Sequence, residues 1–198
     1  MITPSFIKMP GKLSVIVGPM FAGKSTHAAT NVKRWRSVGK NVLVLKHQCD
    51  DRYGGSDGIY THDETALCAV DCLPVKELLP VLEWREFAEA NTVVIEEAQF
   101  FDDLYDYCIA ACDTHDKNVY VYGLDGNTKR ESFGQMAALC PIADNFVKIS
   151  AFCQMCGDGT HAGFSVALKT LPEDGVLIGG GDIYSAVCRK HYLAHSGV

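Results

Sequence analysis

The chain has 198 residues, enough for one well-buried core or for one domain with a small appendage. Hydrophobic residues make up 47% of it without a run long enough to span a membrane, and the formal net charge of −6 argues against a general nucleic-acid binder. Met1–Lys12 lacks a charged segment followed by a long apolar stretch, so no secretion signal is expected; the nine cysteines, an odd set, then point to a reducing, cytoplasmic compartment.

Leu13-Ser14-Val15-Ile16-Val17 reads as a short buried parallel strand. Gly18-Pro19-Met20-Phe21-Ala22-Gly23-Lys24-Ser25 follows, with two glycines and a Lys-Ser pair at the spacing of a phosphate-binding loop. Gly18 and Gly23 let the backbone curl so that successive N–H groups face phosphate oxygens. Lys24 brings positive charge to the outer phosphates, and the Ser25 hydroxyl suits Mg²⁺. Thr26–Gly39 carries few breakers and reads as a helix ended by Gly39, whose N-terminal dipole adds to the anion site. Strand, loop and helix in that order imply a nucleoside triphosphate with Mg²⁺.

A second strand is expected over Asn41–Lys46, a Gly/Asp/Ser-rich loop over Gln48–Gly58, and a helix over Pro74–Ala90 with Leu78, Leu79, Leu82 and Phe87 on its apolar face. Thr92–Glu96 reads as a strand, and Asp102–Thr114 as a helix capped by Asp102 or Asp103. Asn118–Leu124 is a strand, Phe133–Leu139 a short helix and Asn145–Ile149 a further strand. The alternation predicts an α/β fold, a parallel sheet with helices on both faces.

The strand Val93-Val94-Ile95 runs into Glu96-Glu97, placing two carboxylates at the sheet edge where open α/β sheets bind ligands. Glu96 stands where a phosphate-loop enzyme holds its Mg²⁺-linked acid. Glu97 is then available as a general base toward an attacking hydroxyl. Cys153-x-x-Cys156 and Cys188-x-x-His191 offer four thiolate and imidazole ligands for a closed, structural zinc site, with His161 and His195 as rivals to His191 for the fourth place. Between the knuckles, Gly157–Val187 is expected to lack the bulk for its own core. Its Gly179-Gly180-Gly181 run suggests a tethered lid over a substrate. The expected division is a nucleotide-binding domain over 1–150 and a zinc-binding lasso domain over 151–198.

Taken together these residues resemble one family, the type II, zinc-containing cytosolic thymidine kinases, from about Gly11 to Tyr192. The resemblance is carried by the phosphate loop with Thr26, Asp50-Asp51-Arg52-Tyr53, Thr61-His62-Asp63, Glu96-Glu97-Ala98-Gln99-Phe100-Phe101, Gly123-Leu124-Asp125-Gly126, Phe133-Gly134, Ile178-Gly179-Gly180-Gly181-Asp182 with Tyr184, and the zinc knuckles. It implies a phosphate-loop fold of the RecA-like kind and transfer of the γ-phosphoryl of ATP to the 5′-hydroxyl of thymidine, with deoxyuridine also accepted. Glu97 matches the catalytic base. Gly18 through Thr26, Asp50, Arg52, Glu96 and Gln99 match the ATP and Mg²⁺ contacts. Met20, Phe100, Leu124, Thr128, Phe133, Ser165, Leu177, Ile178, Gly179 and Tyr184 match the nucleoside pocket and its lasso, and Cys153, Cys156, Cys188 and His191 the zinc site. The resemblance further implies a homotetramer, feedback inhibition by dTTP, and no nucleic-acid or membrane partner. The family usually has an aromatic where Thr128 stands and Asp where Glu96 stands. The first forfeits a ring packed against the base, so a kinase for another deoxynucleoside is a rival. A phosphate-loop ATPase whose zinc module binds nucleic acid, supported by Arg189-Lys190, is a second rival.

Overall fold

The computed structural model describes residues 10–49, 72–172 and 177–196. Six parallel strands form one sheet: β1 (Leu13–Val17), β2 (Val42–His47), β3 (Leu73–Val75), β4 (Thr92–Glu96), β5 (Asn118–Gly123) and β6 (Asn145–Lys148), in the order β3-β2-β4-β5-β1-β6. The period-2 alternation of a strand sorts its side chains onto two faces. Leu13, Val15, Val17, Leu43, Leu45, Val93, Ile95, Val119 and Val121 enter the larger core on one face. Ile16, Val44, Val94 and Tyr122 enter a second core on the other, beneath Ala28, Ala29 and Val32 of helix α1 (Lys24–Ser37). β4 is buried along its whole length, which accounts for its near-continuous apolar sequence.

Helices cover both faces. α1 lies on the smaller core, and the larger core is closed by α2 (Arg85–Glu89), α3 (Leu104–Ile109), a π-type turn over Ala110–Thr114 and a 3-10 segment over Met136–Ile142. Gly39, at φ 78°, ends α1 as expected, its N–H bonded to the Arg36 carbonyl.

The expected helix over Pro74–Ala90 does not form as one element. Leu73–Val75 is an edge strand beside β2, Leu79–Glu83 is a 3-10 turn, and only Arg85–Glu89 is α-helical. Pro74 suits an edge strand and Pro80 opens a turn, so both prolines interrupt the apolar pattern that suggested a continuous helix. Leu78 and Phe87 are buried, whereas Leu79 is 40% exposed. Asp103 stands at the N-terminus of α3, but its carboxylate accepts the N–H groups of Leu78 and Leu79, each at 2.7 Å. It therefore caps the neighbouring turn. The short helix expected over Phe133–Leu139 is a 3-10 segment displaced to Met136–Ile142.

Gly157–Val187 also departs from expectation. Its described part builds β8 (His161–Ala162), β9 (Phe164–Ala167) and β10 (Tyr184–Val187). β8 pairs with β7 (Ala151–Phe152), and β9 with β10, all antiparallel. Ala151, Cys153, Ala162, Val166, Ala186, Val187 and Tyr192 form a small core of their own, closed by helix α4 (Arg189–Ser196). Small residues alternating with Val let two hairpins pack closely, a packing that residue bulk alone does not reveal.

Candidate active site and metal centre

The phosphate loop leaves the carboxyl end of β1. A Cβ at Gly18 would collide with the Ile149 carbonyl oxygen, so only glycine allows that approach. Gly23 has open space around it but sits at φ 78°, and conformation is what glycine supplies there. Gly23 is the N-cap of α1 without a side-chain cap, and the first turn carries no acid. The positive end of the helix dipole therefore meets no competing acid there, which favours an anion at the loop. Lys24 Nζ donates to the carbonyls of Gly18 (3.1 Å) and Pro19 (2.7 Å), which holds the ammonium across the loop. Phe21 takes a left-handed backbone at φ 63°, and Ala22 packs with it against the small core of the C-terminal module.

Strand β4 brings its acids to the same edge. Ser25 Oγ donates to Glu96 Oε2 at 3.0 Å, so the loop serine and the strand-end acid meet although they lie far apart in sequence. Glu96 is buried at 4% exposure. Glu97 follows at φ 50°, ψ 40°, a left-handed backbone that costs a non-glycine residue about 1–3 kcal/mol. Strain of that kind is sustained where a side chain must be aimed. Its Oε2 accepts the Gln99 amide at 2.7 Å, and Gln99 Oε1 in turn accepts the Leu124 N–H at 3.0 Å. Gln99, matched by resemblance to the phosphate and Mg²⁺ contacts, is 2% exposed and has its amide engaged between β4 and β5.

An apolar wall stands beside this edge. Met20 clusters with Ile183 and Tyr184, with Leu124 and Phe21 packed against them. Ser165 lies on β9, where its hydroxyl accepts the Met20 N–H at 3.0 Å, tying the phosphate loop to the C-terminal module. The Tyr184 hydroxyl donates to the Leu177 carbonyl (2.7 Å) and accepts the Leu177 N–H (3.2 Å), fixing the start of the lasso segment. Leu177 and Ile178 are 36% and 39% exposed. Gly181 lies against the Phe21 ring, where an added Cβ would stand 3.8 Å from it. Phe100 and Phe133 meet edge to face at 5.5 Å, and the His47 ring lies 5.8 Å from Phe100. Thr128 meets the C-terminal helix, its carbonyl accepting the Tyr192 hydroxyl at 2.8 Å. Asp50 and Arg52 lie outside the described residues.

The four knuckle residues converge. One ligand atom from each of Cys153, Cys156, Cys188 and His191 lies within 4.8 Å of every other. His191 Nδ1 is 3.4 Å from all three sulfurs, and Cys156 Sγ is 3.9 Å from Cys188 Sγ. Tetrahedral zinc would separate sulfur from nitrogen by about 3.5 Å and sulfur from sulfur by about 3.8 Å, so the donor set and its spacing fit Zn²⁺. Burial opposes ionisation of Cys153, but backbone N–H groups of Cys188 and Cys156 and the His191 ring outweigh it and hold the thiol below its ordinary range. A thiolate is the ligating form. The rivals are otherwise engaged: His161 Nδ1 is 2.6 Å from Ser150 Oγ, and His195 Nε2 bonds the Ala167 carbonyl at 2.9 Å.

Tyr192 and Gln99 are the site neighbours that sequence spacing does not single out as structural links. Each acts through a contact to a residue far along the chain or across the sheet. The one local signal for Tyr192 is its position next to a zinc ligand.

A parallel sheet with a phosphate loop and an acid-bearing strand on one edge defines a nucleotide-binding α/β protein of the phosphate-loop class. The chain belongs to the thymidine kinase family, whose pattern it matches over residues 11–192. It is 40% identical over 185 residues to a thymidine kinase of Oryza sativa subsp. japonica, covering 93% of this chain and 67% of that one. It is 36% identical over 183 residues to a thymidine kinase of Monkeypox virus (92% and 97%) and 36% identical over 191 residues to a cytosolic thymidine kinase of Cricetulus griseus (96% and 77%). Among the described residues no helix is long and apolar enough to cross a membrane.

Proposed function

We propose that this chain phosphorylates thymidine at its 5′-hydroxyl with ATP, giving dTMP and ADP, and accepts deoxyuridine as well. The observation that carries the proposal is the 3.0 Å contact of Ser25 with Glu96, because it sets the phosphate loop against the strand end that bears Glu97. Residues Gly18 through Thr26 cradle the triphosphate through backbone N–H groups, with Lys24 moving from the loop carbonyls to the outer phosphates. Ser25 and Glu96, two adjacent oxygen donors, would hold Mg²⁺. That ion, when bound, neutralises charge on the β- and γ-phosphates.

Glu97, aimed by its left-handed backbone and by the Gln99 amide, accepts the proton of the 5′-hydroxyl as the oxygen attacks the γ-phosphorus and ADP leaves in line. Asp50 and Arg52, outside the described residues, keep the roles the resemblance implies, Arg52 offsetting charge on the transferring group. Met20, Leu124, Phe100, Phe133 and Thr128 line the base pocket, and Ser165 supports its wall through Met20. The backbone of Leu177, Ile178 and Gly179, held by Tyr184, closes over the pyrimidine and excludes water.

Cys153, Cys156, Cys188 and His191 would hold zinc, which fixes the turn after β7 and the start of α4. Residues 1–150 act as the nucleotide-binding unit and 151–198 as its zinc-tethered lasso. A cytoplasmic homotetramer inhibited by dTTP completes the proposal. Transfer of label from [γ-³²P]ATP to a nucleoside panel tests its core: labelled dTMP supports it, and the absence of any labelled nucleotide sinks it.

A further inference from the structure

We propose that Tyr192 is a positioning residue that couples the Cys₃His cluster to nucleoside recognition by holding the loop that bears Thr128. The proposal rests on the base-pocket assignment of Thr128 and goes beyond it, because it gives Tyr192 a role exerted through the Thr128 carbonyl.

Tyr192 directly follows His191, and its N–H donates to the Cys188 carbonyl at 2.9 Å, so two cluster ligands set the position of its backbone. It is 4% exposed, and its ring packs within the small core of the C-terminal module, 5.3 Å from the Phe164 ring. The hydroxyl reaches beyond that core. It donates to the Thr128 carbonyl at 2.8 Å, reaching across to the loop that follows β5.

The same loop returns the contact. Arg130, in a left-handed conformation at φ 63°, lays its guanidinium 4.4 Å from the centre of the Tyr192 ring. Such a cation over an aromatic face adds attraction beyond the hydrogen bond. Arg189 covers Phe164 at 4.9 Å, and Lys148, paired with Asp125 at 2.5 Å, lies 5.8 Å from the same ring. The loop is already tight within itself. Asn127 Oδ1 accepts the N–H groups of Lys129 and Glu131, and Gly126 bridges Ser132. It therefore moves as a unit, and the Tyr192 hydroxyl sets where that unit sits. With Thr128 lacking a ring to pack on the base, placement of the loop backbone governs the pocket wall.

The test compares zinc-loaded wild type with Tyr192→Phe, which keeps the ring and its packing but deletes the hydroxyl. We expect the thymidine KM to rise about three- to tenfold, as loss of one directed hydrogen bond implies, with kcat and the ATP KM within about twofold. Backbone hydrogen exchange in the absence of nucleoside should accelerate over residues 125–134 while zinc content stays stoichiometric. Arg130→Asn, which tolerates left-handed backbone and leaves the module core intact, should shift the thymidine KM in the same direction by a smaller factor. It also serves as the test if Tyr192→Phe loses zinc. Wild-type transfer to thymidine with unchanged KM and unchanged loop exchange in both variants overturns the inference alone. Absence of thymidine transfer by the wild type removes the base-pocket assignment, and the inference with it.

Discussion

As the proposed base, Glu97 carries the greatest chemical demand in the site, and its surroundings suit that role. The backbone at φ 50° is held against its preference, and the Gln99 amide fixes one carboxylate oxygen at 2.7 Å. General-base catalysis contributes about 10²–10⁴-fold, so Glu97→Gln should lower kcat by at least that order. ATP affinity should stay within about twofold, because the phosphate contacts come from the loop; calorimetric ATP binding beside steady-state kinetics checks both. Gln99→Met should remove the support of Glu97 and leave the Leu124 N–H without its acceptor. A fall in kcat of roughly tenfold, with a stability loss of about 1–3 kcal/mol by denaturant titration, is the expected outcome. Unchanged kcat with the stability loss alone would make Gln99 a strut between strands and nothing more. These residues differ in how readily they can be read from sequence. The phosphate loop and the zinc knuckles are legible because a few residues at fixed spacing already define the chemistry. The links that Gln99 makes to Leu124 and Tyr192 makes to Thr128 are not, because those partners lie across the sheet or in another module.

At the scale of elements, β2 ends in His47, which is buried and packs edge-on against Phe101 at 4.7 Å and near Phe100 at 5.8 Å. Burial lowers its pKa below the ordinary 6.5, against smaller opposing effects of the Lys76 backbone, Asp102 and Asp103. A depressed histidine pKa means that the unfolded chain binds the proton first as pH falls. Stability is then greatest above 6.5 and declines as pH drops through the window between 6.5 and the lowered folded value. The midpoint of urea unfolding should therefore fall from pH 7.5 to pH 5, and His47→Gln should flatten that slope by up to one proton. An identical slope in the variant would assign the acid sensitivity elsewhere. The elements also show why sequence patterning succeeds in some places and fails in others. β1, β4 and β5 were legible because both faces of each are covered, giving short β-branched runs. The stretch from Pro74 to Ala90 has helical spacing of apolar residues, yet two prolines and the pairing of Leu73–Val75 with β2 divide it. Tertiary pairing overrides the local pattern there.

For the whole molecule, three contacts join the phosphate-loop side of the sheet to the C-terminal module. Ser165 holds Met20 of the phosphate loop, Tyr192 holds Thr128, and the glycine run lies on Phe21. Cys153 of the Cys₃His cluster belongs to the small core that also holds Val166 and Tyr192, and Cys156, Cys188 and Phe21 pack against it. Chelation of zinc should accordingly weaken thymidine binding and also loosen the phosphate loop. We expect ATP and thymidine affinities both to fall and the thermal transition to broaden, restored by added Zn²⁺. Retention of full affinity for both ligands in metal-free protein would separate the module from the site. Sequence spacing picked out the four residues that converge in this cluster. The module's own core, built from small residues in two hairpins, became apparent only in the packing.

The most direct test of phosphoryl transfer is to incubate the protein with [γ-³²P]ATP and Mg²⁺ and, separately, with thymidine, deoxyuridine, deoxycytidine or deoxyguanosine, and then to resolve the products. Label on the 5′-position of thymidine, weaker label on deoxyuridine and none without Mg²⁺ are the expected results. ATP binding without label on any nucleoside would contradict the assignment of Glu97 and its pocket to nucleoside phosphorylation.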